Sequence, residues 1–451
     1  MKSFFERAKV GEVASFVIRG GSGVMGLKVG YMVLSLATTV ILARTLGVAE
    51  FGTYSLALAL ATLFAIPTKL GIPSLMVREV ARYSESRSYS LLHGLLLRAN
   101  QFVVGSTVAI GVVAVMLWLY WPETLGGVRG ETTVYLLALF AIPLMAFNAI
   151  RAAALRGLHR VVTGQLPEMT IQPAVFIAAL VLTASSLRLE AAGAMALQVL
   201  SLGAAFIVGT IWLLRALPPE VQRSEPNYET RTWIASIAPL SLLAGMQVVN
   251  SQAGTVLLGY MQSGKEVAAF RVAVQISSLV AFALLATNAA VAPRMAKLYL
   301  KGDISQLQKL VSVVAWMSSI IALPMVGVLC YFGEDIISLT FGGDFVRSYA
   351  PMVVLCLGQL ISTFAGSVVT LLNMTNNENV AASGMLVAAL VNVALSALLI
   401  SDWGAVGAAL ANCASLIIWN VTLYWQCYSR VGVDTGVIPV ASLIGRIRNA
   451  G

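Results

Sequence analysis

Residues 15–43 read SFVIRGGSGVMGLKVGYMVLSLATTVILA; the polar turn RTLGVAEFGTY (44–54) follows, and a second apolar run reaches Leu70. The first run exceeds the ~20 residues a helix needs to cross a bilayer, and it carries two charges, Arg19 and Lys28. With Arg19 at the headgroups, Lys28 lies about 13 Å deeper at ~1.5 Å per residue, near the middle of a hydrocarbon core about 30 Å thick. An ammonium at that depth costs roughly 2.5 to 3.5 kcal/mol. Either it faces a wet cavity or a partner, or it snorkels along a shifted span. Tyr31, Ser35, Thr38 and Thr39 share its face at helical spacing, which favours the first reading: the stripe faces something other than lipid. Arg19 sits about 180° from Lys28 on an ideal helix and ranks below it, unless Gly20, Gly21, Gly23 and Gly26 bend the chain. Gly21–Lys28 looks like a phosphate loop, but Leu27 separates the last glycine from the lysine, no Ser or Thr follows, and no strand precedes it. It reads as a packing segment, with Gly26 and Gly30 as a small-residue pair.

The same pattern extends along the chain. Of 451 residues, 58% are hydrophobic and 11% charged, with mean hydropathy +0.85. Soluble chains carry about 25% charged residues, so this is an all-α polytopic membrane protein. Twelve apolar spans are expected, at 15–43, 51–70, 91–120, 133–153, 169–187, 192–214, 233–260, 268–293, 310–332, 350–372, 380–401 and 404–427. With the N-terminus inside, twenty Lys and Arg fall on the cytoplasmic side and six on the outside, which places both termini in the cytoplasm. The net charge of +9 is spread between spans and forms no concentrated stripe, which excludes a nucleic-acid partner. Cys330, Cys356, Cys413 and Cys427 have neither metal-ligand nor redox spacing and read as free buried thiols. The first apolar run is too long for a signal peptide and lacks a cleavage site, so it is expected to remain a span.

The longest polar interruption, RALPPEVQRSEPNYETR (215–231), contains Pro218, Pro219 and Pro226 and reads as a linker. It divides an N-terminal six-helix lobe (1–217) from a C-terminal one (232–428), with the cytoplasmic linker at 218–231 and a cytoplasmic tail at 429–451. Glu50, Gly52, Tyr54 and Ala57 recur 216 positions later as Glu266, Ala268, Phe270 and Ala273. Six spans per half is an even number, so the two copies share one orientation, related by a pseudo-twofold axis along the membrane normal. Residues 429–451 are too short in their apolar run to span and read as a frayed tail in preference to an interfacial helix.

The stretches ARTLGVAEFGTY (43–54), LGIPSLMVRE (70–79), AAFRVA (268–273) and 389–411 resemble the polysaccharide-transport branch, the Wzx-type oligosaccharide flippases, of the multidrug/oligosaccharidyl-lipid/polysaccharide exporter superfamily. The resemblance covers nearly the whole chain. It implies two six-helix bundles facing each other in a V, alternating between inward-open and outward-open states in a bacterial cytoplasmic (inner) membrane. It also implies a substrate, a polyprenyl-diphosphate-linked oligosaccharide moved from the cytoplasmic to the outer leaflet, with membrane lipids and glycan assembly proteins as the surrounding partners. Cationic residues lining the cavity recur in the family, and Lys28 and Arg271 fall in the corresponding first and eighth spans.

Residue chemistry agrees with an anionic cargo. The spans hold basic groups but no acid near the midplane, Glu168 and Asp402 being expected at helix ends; such a site suits diphosphate oxygens, which accept charge-assisted hydrogen bonds. Arg271, Gln275 and Ser278 share a face of the eighth span, and Arg271 is either a cavity group or an interface anchor. In the seventh, behind a kink expected at Pro239, Asn250 and Gln252 either bind sugar hydroxyls or hold helices together at roughly 1 kcal/mol each. Lys69, and Arg151 beside Asn148, form a cytoplasmic vestibule or simply follow the positive-inside rule. No catalytic residue, metal ligand or cofactor is expected: His93 and His159 are isolated, and Glu334, Asp335 and Asp344 read as a solvated turn. The rival functions are a drug or cation antiporter, which the missing midplane carboxylate opposes, and a membrane-embedded glycan polymerase or ligase, which needs a larger outer loop than any present here.

Overall fold

The computed structural model describes residues 22–120, 132–184 and 189–438, and their regular structure is helical throughout. Helices are what a chain this apolar must form, because lipid offers no partner for backbone N–H and C=O groups. Helix α1 (Ser22–Lys69) is the opening stretch, split into two limbs at Gly47, where φ is 72°. Only glycine adopts that angle without strain, which explains its place in the RTLGVAEFGTY turn. Helix α2 (Ile72–Glu85) begins with a proline in its first turn and buries Ile72, Leu75, Met76, Glu79, Val80 and Tyr83, the spacing of an amphipathic helix. Then come α3 (Tyr89–Tyr120), α4 (Thr132–Gly157) and α5, which runs from Val161–Leu166 through a π turn at Pro167–Ile171 into Gln172–Ala184. Helix α6 (Ala191–Ala216), the short α7 (Pro219–Arg223), α8 (Thr230–Met261) and α9 (Gly264–Leu300) follow. The chain continues with α10 (Ile304–Tyr331), α11 (Gly333–Thr340), α12 (Tyr349–Ala365), α13 (Val368–Met374) and α14 (Glu378–Val431). Nine helices among the described residues are long and apolar enough to cross a membrane. The protein is a multi-pass, all-α membrane protein.

Two compact units separate after Arg271. In the unit Leu27–Arg271, α2 packs against α3 and α4 through Leu75, Met76, Val80, Tyr83, Leu92, Leu95, Ile150 and Leu155. Helices approach closely where side chains are smallest. A Cβ on Gly52 would lie 1.9 Å from the Gly264 carbonyl oxygen, so the first residue of α9 rests directly on the second limb of α1. The proline-rich segment expected as a linker is docked in this unit. Its Val221 is buried, Asn227 N donates to Ser90 O at 2.9 Å, and His93 Nδ1 lies 2.8 Å from Ser224 O. Just beyond it, Trp233 Nε1 donates to the Tyr83 hydroxyl at 3.0 Å, and that hydroxyl donates to Glu229 at 3.2 Å. Burial, the largest influence on the Tyr83 phenol, raises its pKa and keeps it a donor.

The unit from Val272 onward has a separate core in which Val291, Met295, Leu307, Val311, Leu371, Leu372 and Leu423 meet. Helix α14 folds back on itself at Gly404, where φ is 50°: Ser415 Oγ donates to Ala388 O at 2.6 Å. A Cβ on Gly407 would come within 2.3 Å of the Leu399 oxygen, so the hairpin needs glycine there. The frayed tail expected after Ser429 gives way, over residues 432–438, to a strap. Asp434 exchanges two hydrogen bonds with Gln308, both 2.7 Å, while Thr435 and Val437 donate to the carbonyls of Ala365 and Phe364. These carbonyls belong to the end of α12, where a helix leaves acceptors without intrahelical partners.

Candidate functional site

The expected site begins on the first limb of α1. Lys28 is half-buried there and has no hydrogen-bond or ion-pair partner among the described residues. Tyr31 lies one turn further along the same face. The hydroxyl stripe beyond it is satisfied internally: Thr38 donates to Leu34 O at 2.7 Å and Thr39 to Ser35 O at 2.8 Å. Helix α9 supplies the second cation. Arg271, half-buried, interacts electrostatically with Tyr31 and Tyr54, and the Tyr54 hydroxyl donates to Gln198 Oε1 at 3.3 Å. Arg271 is thereby within electrostatic reach of Tyr31, one turn along α1 from Lys28.

Lys69 ends α1 and interacts electrostatically with Glu168. The expectation that Glu168 sits at a helix end is corrected here: α5 starts at Val161, so the carboxylate lies inside the candidate span Val161–Thr183, in the π turn that follows Pro167. A π turn lets the helix absorb one extra residue and is common at functional positions. Glu168 also feels Arg156 and Tyr31.

Arg151 is held entirely by the protein's own groups. Its Nε donates to Thr210 Oγ1 at 2.8 Å, its Nη1 to Asn100 Oδ1 at 3.3 Å and to Phe147 O at 3.2 Å. The guanidinium also lies 4.9 and 4.4 Å from the ring centroids of Phe147 and Phe206. Asn148 donates to Leu202 O at 3.1 Å and ties α4 to α6. Asn250 and Gln275 are engaged within the protein, whereas the Oε1 of Gln252 is a buried acceptor without a partner among the described residues. Arg19 lies outside the described residues. Sequence reasoning missed Glu168 as a group within electrostatic reach of both Lys69 and Arg156; Gln165 Oε1 and Arg156 Nε are buried and unpartnered among the described residues. Glu334, Asp335 and Asp344 are exposed.

Residues 17–299, well over half of the chain, match the family described as polysaccharide biosynthesis protein. The chain belongs to that family. Residues 239–398 of this family member also match the MatE family. Among curated relatives it is similar to the probable low-salt glycan biosynthesis flippase Agl15 of Haloferax volcanii, 20% identical over 382 residues, covering 84% of this chain and 76% of that one. Among solved structures it resembles an inward-facing multidrug resistance MATE transporter of the MOP superfamily, with a TM-score of 0.73 at 14% identity over 93% of this chain and 97% of that one. The lipid II flippase MurJ, in an inward closed conformation, matches with a TM-score of 0.68 at 14% identity over 89% and 86%. At such identity the two structures establish the fold, that of the superfamily expected from the sequence. The family and its relatives are membrane transporters or flippases, not enzymes.

Proposed function

We propose that the protein is a flippase that moves a polyprenyl-diphosphate-linked oligosaccharide from the cytoplasmic to the outer leaflet by alternating access. The observation that carries this reading is that Arg271 lies within electrostatic reach of Tyr31, one turn from Lys28, which has no partner among the described residues. Two cations on one face present several N–H donors to a diphosphate, and in a poorly hydrated site each contact is stronger than in water. The tyrosines and Gln198 offer hydroxyl and amide groups suited to sugars. Gln252, with its open acceptor, and Asn250 and Gln275 join them, while Lys69 and Arg151 line the cytoplasmic approach. Arg19 belongs to the same basic set. The relationship to a probable glycan biosynthesis flippase supports the lipid-linked glycan as cargo. In this reading the lobes are 1–217 and 232–428, joined by the linker 218–231 and followed by the tail 429–451. Both termini lie in the cytoplasm, the chain sits in the bacterial cytoplasmic membrane, and glycan assembly proteins are its neighbours.

A cation or drug antiporter gains one point from Glu168, an in-span carboxylate of the kind a cationic cargo needs. That carboxylate already interacts with both Lys69 and Arg156, so its surroundings remain net positive and favour an anion. Deleting the gene in a strain without a redundant transporter is expected to strand the glycan precursor on the cytoplasmic leaflet. Unaltered precursor sidedness and surface glycan would overturn the reading.

A further inference from the structure

Glu168 is a costly residue that the flippase reading does not use. A carboxylate inside a span needs compensation, and its neighbours are Lys69 at the end of α1 and Arg156 near the end of α4. A purely structural ion pair would close to contact, because desolvated charges regain the cost of burial only through good geometry and hydrogen bonds. Here no contact ion pair joins Glu168 to either cation among the described residues, although both lie within electrostatic reach. Arg156 Nε is buried without a hydrogen-bond partner, and so is Gln165 Oε1, one turn before Glu168 on α5. Two cations, one carboxylate in contact with neither and a buried open donor leave charge and hydrogen-bonding capacity that the protein's own groups do not satisfy among the described residues.

We propose that Lys69 and Arg156 form a phosphate site distinct from Lys28 and Arg271, and that Glu168 is a tethered competitor which any incoming phosphate must displace. The site rests on the flippase reading and adds a selectivity device to it. Displacing Glu168 sets one cost that every ligand must recover, so it acts as a threshold for occupancy and leaves the ratio of affinities to the ligands themselves. A diphosphate, with more charge to place against the two cations, recovers more Coulomb energy than the single negative charge of a phospholipid headgroup. Ordinary anionic lipid, present in large excess, is thereby kept off the site while the diphosphate still binds. The π turn gives Glu168 a place to go, since a helix with one extra residue per turn can shift register locally.

The test uses the full-length protein in nanodiscs, with farnesyl diphosphate as the lipid probe and inorganic pyrophosphate as the free one. Affinity is measured with and without phosphatidylglycerol in the bilayer. Glu168→Gln is expected to tighten farnesyl diphosphate about tenfold, the effect of removing a close competing charge, and to make phosphatidylglycerol an effective competitor. Glu168→Asp, which keeps the charge and checks folding, should resemble the unmodified protein; Lys69→Gln should weaken binding. Pyrophosphate binding as tight as farnesyl diphosphate would mark the site as one for free phosphate and overturn the lipid-selecting role. Unchanged or weaker farnesyl diphosphate binding in Glu168→Gln, with Lys69→Gln still weakening it, would overturn the competitor alone. Indifference to Lys28→Gln, Arg271→Gln and Lys69→Gln together would instead overturn the flippase reading.

Discussion

The unit Leu27–Arg271 and the unit from Val272 onward use different chemistry in their interiors. In the first, charges lie among the helices: Arg151 donates to Thr210 and Asn100 and lies over two phenylalanine rings, while Arg271 is within electrostatic reach of Tyr31 and Tyr54, and Glu168 of Lys69 and Arg156. In the second, the contacts inside the spans are between neutral groups: Thr287 meets Ser318 at 2.7 Å, Ser367 donates to Asn288, and Ser415 to a backbone carbonyl, while the buried carboxylate of Asp434, in the strap outside the spans, accepts from Tyr424. Neutral hydrogen bonds between membrane helices contribute little and bind no anion strongly, so they serve packing. Charges inside spans are expensive and are kept where they handle a charged cargo. Under the proposed function, the difference assigns recognition of the anionic cargo to the unit Leu27–Arg271.

That contrast can be broken by stability measurements. Arg151→Ala removes three hydrogen bonds and two cation–π contacts from helices α3, α4 and α6, and is expected to cost about 3 kcal/mol in a denaturation assay of the detergent-solubilised protein. A loss below about 1 kcal/mol, the scale of a neutral membrane hydrogen bond, would make the two units alike. Gly94→Ala sharpens the comparison from another side, because a Cβ there would lie 1.8 Å from the Asn227 oxygen and must lift the docked linker off α3. About 2 kcal/mol of destabilisation and faster proteolysis within 215–231 are expected; a linker as protected as before would show that it does not depend on this contact. Thr287→Val in the second unit is the smallest change, about 0.6 kcal/mol, read by the same denaturation assay. A cost above about 2 kcal/mol would mean that neutral pairs carry as much weight as the charges.

Orientation has an independent check. Single cysteines replacing exposed Gly343 and Lys301, in a protein without its four native cysteines, should react with an impermeant thiol reagent from outside at the first position only. Reversed labelling would invert the assignment of the charged sites to the cytoplasmic side.

Much of the fold was legible because hydropathy and glycine speak locally. The spans, the turn at Gly47 and the reversal near Gly404 all follow from runs of apolar residues and the one residue that tolerates positive φ. Lys28 and Arg271 stood out because a charge in an apolar run is conspicuous. Glu168 did not, because Pro167 marks a helix start in most contexts; here a π turn carries the helix through it from Val161. The hold on Arg151 was invisible, since Asn100 and Thr210 lie 51 and 59 residues away in sequence. At Thr38 and Thr39 the spacing shows a shared face but not the partner: each hydroxyl bonds the carbonyl one turn back. The strap at 432–438 has too few apolar residues to announce itself, and its anchors on Gln308 and the end of α12 are distant in the chain.

The central claim, that the charged unit binds the substrate's diphosphate, is tested most directly by translocation of a lipid-linked oligosaccharide in proteoliposomes containing Lys28→Ala. Removing a charge that only substrate compensates should leave insertion intact. The account predicts that transport falls more than about tenfold while Lys28→Arg keeps part of it and Asn288→Ala, in the neutral unit, keeps nearly all. Full transport by a correctly folded Lys28→Ala protein would contradict it.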